Sequence, residues 1–267
     1  MFSKYLDQLR SQGKRSFTFE QIRCDLGTSV NSIKSGIYRL KNEGKLITPA
    51  KGLYLIIPPE HRPYGSIPAE ELVPILMKHL KAEYYTALLS AASFYGATHQ
   101  KPARFQVITN KLIKHPLEFG QVKLEIIYKK QISGLPVQDF TVATGYLKVS
   151  SPELVAFDLL SYTARSGGLN HIATVIYELA SALDFDKLIE LAEQNGKKSW
   201  LQRLGFILEK VGSMDDDQTQ QLIYSLKNYL NQNPMPYIPI ASELQKKGHT
   251  YIKQWKIIEN TDIESDL

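Results

Sequence analysis

The sequence predicts an α+β protein in which an N-terminal winged helix-turn-helix is followed by a larger mixed α/β domain with a small sheet and a helical C-terminal half. The first observation behind this prediction is the order of three short helices and a β-hairpin within the first 65 of 267 residues. The second is the charge distribution. Residues 1–65 carry eleven Lys and Arg against five Asp and Glu, a net charge of +6, whereas the other 202 residues together carry −1. Such asymmetry is typical of a nucleic-acid-binding module joined to a neutral domain.

Caps and helix breakers divide the basic module into its elements. Helices are predicted over Phe2–Gln12 and, capped by Thr18, over Phe19–Leu26. A β-hairpin is predicted from two strand-like runs, Lys45–Thr48 and Leu53–Ile57. A third helix is predicted between the second helix and the hairpin, so the elements follow the order of a winged helix-turn-helix.

The third helix carries the candidate DNA-reading surface. It begins after Thr28 or Ser29, ends at Gly44, and has an apolar stripe with spacings of three and four residues. The opposite side combines hydroxyl, amide, aromatic and cationic groups without a carboxylate, whereas an ordinary solvated helix usually mixes Glu with Lys. Asn can bridge adenine and Arg can fork onto guanine in the major groove, while Ser and Lys commonly hold phosphates. The stripe consists of Val30, Ile33, Ile37 and Leu40; the predicted DNA contacts are Ser29, Asn31, Ser32, Lys34, Ser35, Tyr38 and Arg39, with Lys51 at the hairpin tip.

A proline-rich segment, Pro58–Pro68, is predicted to link a DNA-binding domain of residues 1–65 to a second domain of residues 66–267. Strand-like runs in the second domain predict its small sheet, and apolar periodicity after Val149 predicts about eighty residues of helix. The predicted elements before and after that helical run are helices over Ala69–Lys81 and Tyr85–Tyr95, strands over Phe105–Thr109, Val122–Tyr128 and Phe140–Val149, and a late strand over Trp255–Glu259.

Membrane and enzyme classes are disfavoured by the same sequence. Its longest aliphatic stretch, Leu72–Met77, is far shorter than the ~20 residues of a membrane helix, and no secretory signal is evident, so we expect a cytoplasmic protein. The six histidines lie at least sixteen residues apart, and no nucleotide-binding or hydrolase motif occurs. Residues 105–150 hold three carboxylates rather than the cluster that a metal-dependent nuclease core needs. We therefore expect no enzyme activity, no metal and no cofactor.

Several blocks of the chain share a pattern with one known family. They include FTFEQIRCDLGTSVNSIKSGIYRLKNEGKLITPAKGLYLI in the basic module, YYTALLSAASFYGATHQKPARFQVITNK (Tyr84–Lys111) and VSSPELVAFDLLSY (Val149–Tyr162). RLGFILE (Arg203–Glu209) and the closing WKIIENTDIESD (Trp255–Asp266) complete the set. In this combination the chain resembles the AbiEi-type antitoxins, transcriptional regulators of abortive-infection toxin–antitoxin systems.

The resemblance implies a DNA-binding antitoxin. In that family the N-terminal domain binds inverted repeats in its own promoter and represses the operon, and the C-terminal domain counters a toxin that resembles nucleotidyltransferases. The family is described as type IV, in which the antitoxin opposes the effect of the toxin without a stable complex. The resemblance assigns no catalytic residues. Two alternatives stay open: a repressor whose C-terminal domain senses a ligand without any toxin partner, and an enzyme whose C-terminal domain acts on nucleic acid.

Overall fold

The computed structural model describes residues 1–98, 102–212 and 216–264. It has a mixed α+β fold, with 48% helix, 19% strand and several small sheets, which confirms the predicted class. The chain forms two compact units, each built from several segments. The predicted boundary after residue 65 lies inside the first unit, and the division into domains 1–65 and 66–267 stays a prediction. The first unit comprises Met1–Thr86, Ala103–Ser133 and Asp139–Val149, and the second comprises Ala87–Pro102, Gly134–Gln138 and Ser150–Leu267.

The N-terminal part of the first unit contains the predicted helices and hairpin in the predicted order, with one additional strand. That strand pairs with the second hairpin strand, Phe17 opposite Tyr54, and completes a three-stranded antiparallel sheet of order β1-β3-β2. It is only three residues long, too short for its alternation to show in the sequence. The elements are α1 (Phe2–Ser11), β1 (Ser16–Thr18), α2 (Phe19–Leu26), α3 (Val30–Asn42), β2 (Leu46–Ala50) and β3 (Leu53–Ile56).

A compact apolar core joins these elements. The Phe17 ring meets Tyr5 edge-on at 5.7 Å and stacks on Tyr54 at 5.4 Å, centroid to centroid. Ile33, Ile37 and Leu40 of α3 are buried in the same core. Val30 is 42% exposed, so the predicted stripe begins one turn later, because the first residue of α3 lies beyond the core.

The segment predicted to be a linker is folded into the first unit. Its residues Pro59–Tyr64 form a 3₁₀ helix, and the Tyr64 carbonyl accepts a hydrogen bond from the Gln121 amide at 2.8 Å. At the neighbouring Gly120, a Cβ would lie 2.1 Å from that carbonyl oxygen, and φ is +57°. Only glycine allows so close a crossing. The prolines correctly exclude an α-helix here, but they do not prevent packing.

A six-stranded sheet of order β6-β7-β5-β4-β9-β8 forms the rest of the first unit, preceded by one helix. Two predicted elements need correction. The predicted helix Tyr85–Tyr95 begins as a strand, because Tyr85 and Thr86 are buried within the sheet. The predicted strand Phe140–Val149 is a hairpin of two strands. The elements are α4 (Ala69–Leu80), β4 (Tyr84–Thr86), β5 (Phe105–Thr109), β6 (Leu117–Phe119), β7 (Val122–Tyr128), β8 (Val137–Val142) and β9 (Gly145–Ser150).

The second unit is mainly helical, as the apolar periodicity predicts. Ser151 caps α6 by accepting a hydrogen bond from the Leu154 amide, and Pro152 occupies the first helical turn. Three short strands near the C-terminus form a separate sheet of order β10-β12-β11. The elements are α5 (Leu88–Ala92), α6 (Pro152–Ser161), α7 (Leu169–Leu179), α8 (Phe185–Gln194), α9 (Ser199–Val211), α10 (Asp217–Gln232), β10 (Ile238–Pro239), β11 (Thr250–Ile252) and β12 (Ile257–Glu259).

A buried tryptophan fixes the C-terminal strands to α9. The indole of Trp255 packs over Gly205, where a Cβ would lie 2.0 Å from the ring. Its Nε1 donates a hydrogen bond to Glu209 Oε2 at 2.5 Å. The buried Gln202 amide donates to the carbonyls of Trp255 and Lys256 at 3.2 and 3.1 Å. The sequence blocks RLGFILE and WKIIENTDIESD, the latter ending outside the described residues, are therefore in direct contact.

This contact makes the effect of Gly205→Ala depend on Trp255. In a helix, alanine is normally more stable than glycine by about 1 kcal/mol. Here the added methyl group overpacks against the indole at a cost of about 1–3 kcal/mol, so we expect a net loss of stability. In a Trp255→Leu background the same substitution should become neutral or stabilising, as measured by urea unfolding of all four proteins. Equal effects in both backgrounds would show that the steric explanation is wrong.

Candidate nucleic-acid interface

The predicted DNA-contacting residues of α3 are all solvent-exposed. The apolar side of this helix is turned into the core, and Gly36 lies so close to the Phe2 ring that a Cβ would come within 2.6 Å of it. The ring of Tyr38 is also open to solvent, with 69% of the residue exposed. We call this set the α3 surface: Ser29, Asn31, Ser32, Lys34, Ser35, Tyr38 and Arg39.

Hydrogen bonds fix the beginning of α3 and its neighbour α2. Ser29 is the N-cap, and its hydroxyl accepts from the Ser32 amide at 3.2 Å. Ser29 is thereby committed to the helix, although it stays exposed. In α2, Thr18 and Gln21 form a reciprocal capping box. The helix that reads DNA in our interpretation is thus held at its N-terminus, where base contacts are usually made.

A buried tyrosine ties α1 to the end of α2. The Tyr5 hydroxyl donates a hydrogen bond to Asp25 Oδ2 at 2.8 Å. Burial of the ring, with the nearby carboxylate, raises the pKa of Tyr5 above its ordinary value. The phenol therefore remains a protonated donor, and this bond is kept throughout the physiological pH range.

A carboxylate that sequence reasoning missed lies next to the α3 surface. Glu43, just beyond the helix, has one oxygen 3.8 Å from Arg39 Nε and the other 2.6 Å from Lys45 Nζ. The hydrogen bond from Lys45 holds the pKa of Glu43 below its usual value, so the carboxylate is ionised at neutral pH. The i,i+4 spacing of Arg39 and Glu43 could have indicated this pair. To reach a base, Arg39 must leave this exposed and weak ion pair.

Lys51 lies where the sequence predicts, in the turn between β2 and β3. Its side chain is exposed, and the next residue, Gly52, has a φ of +78° that the tight turn requires. The carbonyl oxygen of Lys51 lies 3.1 Å from Nε2 of His79 in α4. The hairpin tip is therefore not isolated in solvent but is held against a second element of the same unit.

The described residues contain neither a metal-binding cluster nor a membrane-spanning helix. Across residues 1–98, 102–212 and 216–264, no three His, Cys, Asp or Glu side chains are grouped in a way that could hold a metal ion. In that same part of the chain, no helix combines the length and hydrophobicity needed to cross a membrane.

Comparisons with known proteins identify one domain and the fold. Residues 85–210 match the family model described as "AbiEi antitoxin C-terminal domain". A crystal structure of the RV2827C protein from Mycobacterium tuberculosis is similar with a TM-score of 0.67, over 96% of this chain and 90% of that chain, at 17% sequence identity. At that identity the similarity concerns the fold alone. No curated protein matches the chain.

The α3 surface should tolerate substitution without loss of folding. Because their side chains are exposed, Asn31→Ala, Lys34→Ala and Arg39→Ala should each change the free energy of unfolding by less than about 0.5 kcal/mol. Ile37→Ala, on the buried side of the same helix, should cost about 2–5 kcal/mol. Urea unfolding curves of the four variants test this difference. A large loss for the exposed variants would mean that this surface is structural.

Proposed function

We propose that this chain, in which residues 85–210 match the AbiEi antitoxin C-terminal domain, is an AbiEi-type antitoxin that combines DNA binding with toxin neutralisation. The N-terminal elements act as a winged helix-turn-helix that binds inverted repeats in the promoter of the chain's own operon and represses it. The C-terminal domain counters a nucleotidyltransferase-like toxin in the type IV manner, without a stable complex.

The observation that carries the DNA-binding half is the exposed, carboxylate-free α3 surface next to a basic hairpin tip. Asn31 and Arg39 offer bidentate donors and acceptors for base edges, and Lys34 and Lys51 offer charges for phosphates. Ser29 has a smaller part than the sequence suggests, because its hydroxyl already caps the helix. The order of three helices and a hairpin supports the same proposal.

The antitoxin half rests on the family domain and not on a visible site. Residues 85–210 include α5 and the block Val149–Tyr162. Just beyond α5, the Tyr95 hydroxyl donates a hydrogen bond to the Ser150 carbonyl in that block at 2.7 Å. A nucleotidyltransferase-like partner and neutralisation without complex formation are implied by the family resemblance. They are the parts of the proposal that only experiment with the toxin can test.

Duplex-binding measurements should distinguish the residues that read bases from those that bind phosphates. Asn31→Ala and Arg39→Ala should weaken binding to promoter duplex by about 1–3 kcal/mol and affect random duplex less. Lys51→Ala should weaken both about equally, because a phosphate contact carries no sequence information. Fluorescence anisotropy with labelled duplexes measures both affinities.

Glu43→Gln serves as the control for this experiment. It removes a negative charge near the DNA and releases Arg39 and Lys45, so the affinity for both duplexes should rise. If every variant changes the two affinities in the same proportion, α3 does not read bases.

In cells, repression of the operon should be lost independently of neutralisation of the toxin. A variant of the full chain that carries both Asn31→Ala and Arg39→Ala is expressed from an unrelated promoter. It should no longer repress a reporter gene that is driven by the promoter of its own operon. It should still restore growth of cells that express the toxin encoded beside it, because the C-terminal domain is unchanged. Loss of growth rescue together with repression would contradict the two-function proposal. A neighbouring gene unrelated to nucleotidyltransferases would favour a repressor without a toxin partner.

A further inference from the structure

The positive charge of the first unit extends beyond the N-terminal module. The first unit contains 20 Lys and Arg against 11 Asp and Glu, a net charge of +9, whereas the second contains 12 against 16, a net charge of −4. Residues 1–65 account for +6 of this excess, so the remainder lies on α4 and the six-stranded sheet. The base-reading surface described above does not use these charges.

Strand register brings several lysines to one end of that sheet. β5 and β7 are parallel, with Thr109 opposite Tyr128, and β4 is antiparallel to β5, with Tyr84 opposite Thr109. The segments after β5, after β7 and before β4 therefore emerge at the same end. Backbone hydrogen bonds hold them together: the Asn110 amide donates to the Glu83 carbonyl at 3.2 Å, and the Lys129 amide donates to the Thr109 carbonyl at 3.0 Å.

Four exposed lysines lie at this end, and we call them the sheet-end lysines. Lys111 Nζ donates to the Leu80 carbonyl at 2.6 Å, which places the chain after β5 against the end of α4. The nearby carboxylate of Glu83 is engaged with the Asn110 amide group. Within the part of the chain that the structure describes, none of the four lysines forms an ion pair. The sheet-end lysines are Lys78 and Lys81 at the end of α4, Lys111 after β5 and Lys130 after β7.

The last turn of α4 connects the sheet-end lysines to the hairpin tip. His79 lies between Lys78 and Lys81 in sequence, and its Nε2 is 3.1 Å from the Lys51 carbonyl. A duplex that contacts Lys51 therefore has further cations beside it. Lysine binds phosphates as a point charge. The set contains no Arg, Asn or Gln, whose planar groups pair with a base edge in the bidentate manner.

One of the sheet-end lysines, Lys81, has an uncommon backbone conformation. Lys81 follows α4 with φ of +52° and ψ of +47°, the left-handed conformation that glycine adopts most easily. A non-glycine residue is uncommon in this conformation. The chain thus keeps an exposed cation at a position where its backbone favours glycine.

We propose that the sheet-end lysines bind the phosphate backbone of duplex DNA next to the segment contacted by α3 and the hairpin tip. This inference rests on the proposed DNA-binding function and extends it. The lysines add affinity and salt dependence without sequence preference, so the DNA contact of this chain continues onto the six-stranded sheet.

The test compares two triple variants of the full-length chain on a promoter duplex of about 30 base pairs, roughly three helical turns. The sheet-end variant carries Lys78→Ala, Lys81→Gly and Lys130→Ala. The control carries Lys246→Ala, Lys247→Ala and Lys253→Ala, which remove three exposed lysines near the C-terminus. Both variants lower the net charge equally. Lys81→Gly also places glycine in a left-handed conformation that glycine adopts easily, so the loss of charge should not be accompanied by a loss of stability.

The expected result is a flatter salt dependence for the sheet-end variant alone. Three lost phosphate contacts reduce the slope of log K against log[salt] by about 2.7, so the wild-type chain loses roughly 40-fold more affinity than this variant between about 50 and 200 mM salt. The thermal midpoint of the sheet-end variant should not fall below that of the wild-type chain. The control should bind like the wild-type chain.

Other outcomes separate this inference from the proposed function. If the sheet-end variant binds like the control while Asn31→Ala still loses promoter affinity, α3 binds DNA but the sheet end does not. If the sheet-end variant loses affinity for duplex RNA and not for duplex DNA, the partner is a different nucleic acid and the inference is wrong. If the wild-type chain binds no duplex, both proposals fail.

Discussion

The close approach of α1 to α3 determines what the N-terminal part of this protein can present to a partner. Gly36 and the Phe2 ring come so near that any side chain at position 36 would collide with the ring. This contact fixes the rotation of α3 about its own axis, because Ile33, Ile37 and Leu40 must then enter the core. Asn31, Lys34 and Arg39 are consequently exposed, and the chemistry of the α3 surface follows from one missing Cβ.

Local chemistry explains why parts of this region could be predicted from the sequence. Thr18 with Gln21, and Ser29 with Ser32, are caps whose geometry depends only on neighbouring residues, so α2 and α3 begin where the sequence predicts. β1 could not be predicted, since it exists only by pairing with β3 from about forty residues later. The partner of Arg39 was missed because Glu43 lies just beyond the helix, outside the surface from which the contacts were predicted.

The family blocks of the second unit illustrate a different limit. RLGFILE and WKIIENTDIESD carry part of the family resemblance, but the resemblance gives no reason for their glycine and tryptophan. In the fold, Gly205 leaves room for the Trp255 indole, and Glu209 accepts its hydrogen bond. A similar limit explains why the predicted helix wrongly included Tyr85 and Thr86. The small residues that follow them favour a helix, whereas burial in the sheet requires a strand.

The discontinuity of the first unit has a consequence for synthesis on the ribosome. α1 to β3 all lie within the first 56 residues, whereas β5, β7 and β9 join β4 only after further segments have been made. The unit is complete only once residue 149 has left the exit tunnel, more than halfway through translation. Until then the buried edge of β4 and the apolar side of α4 remain uncovered in the nascent chain, the condition in which chaperones bind.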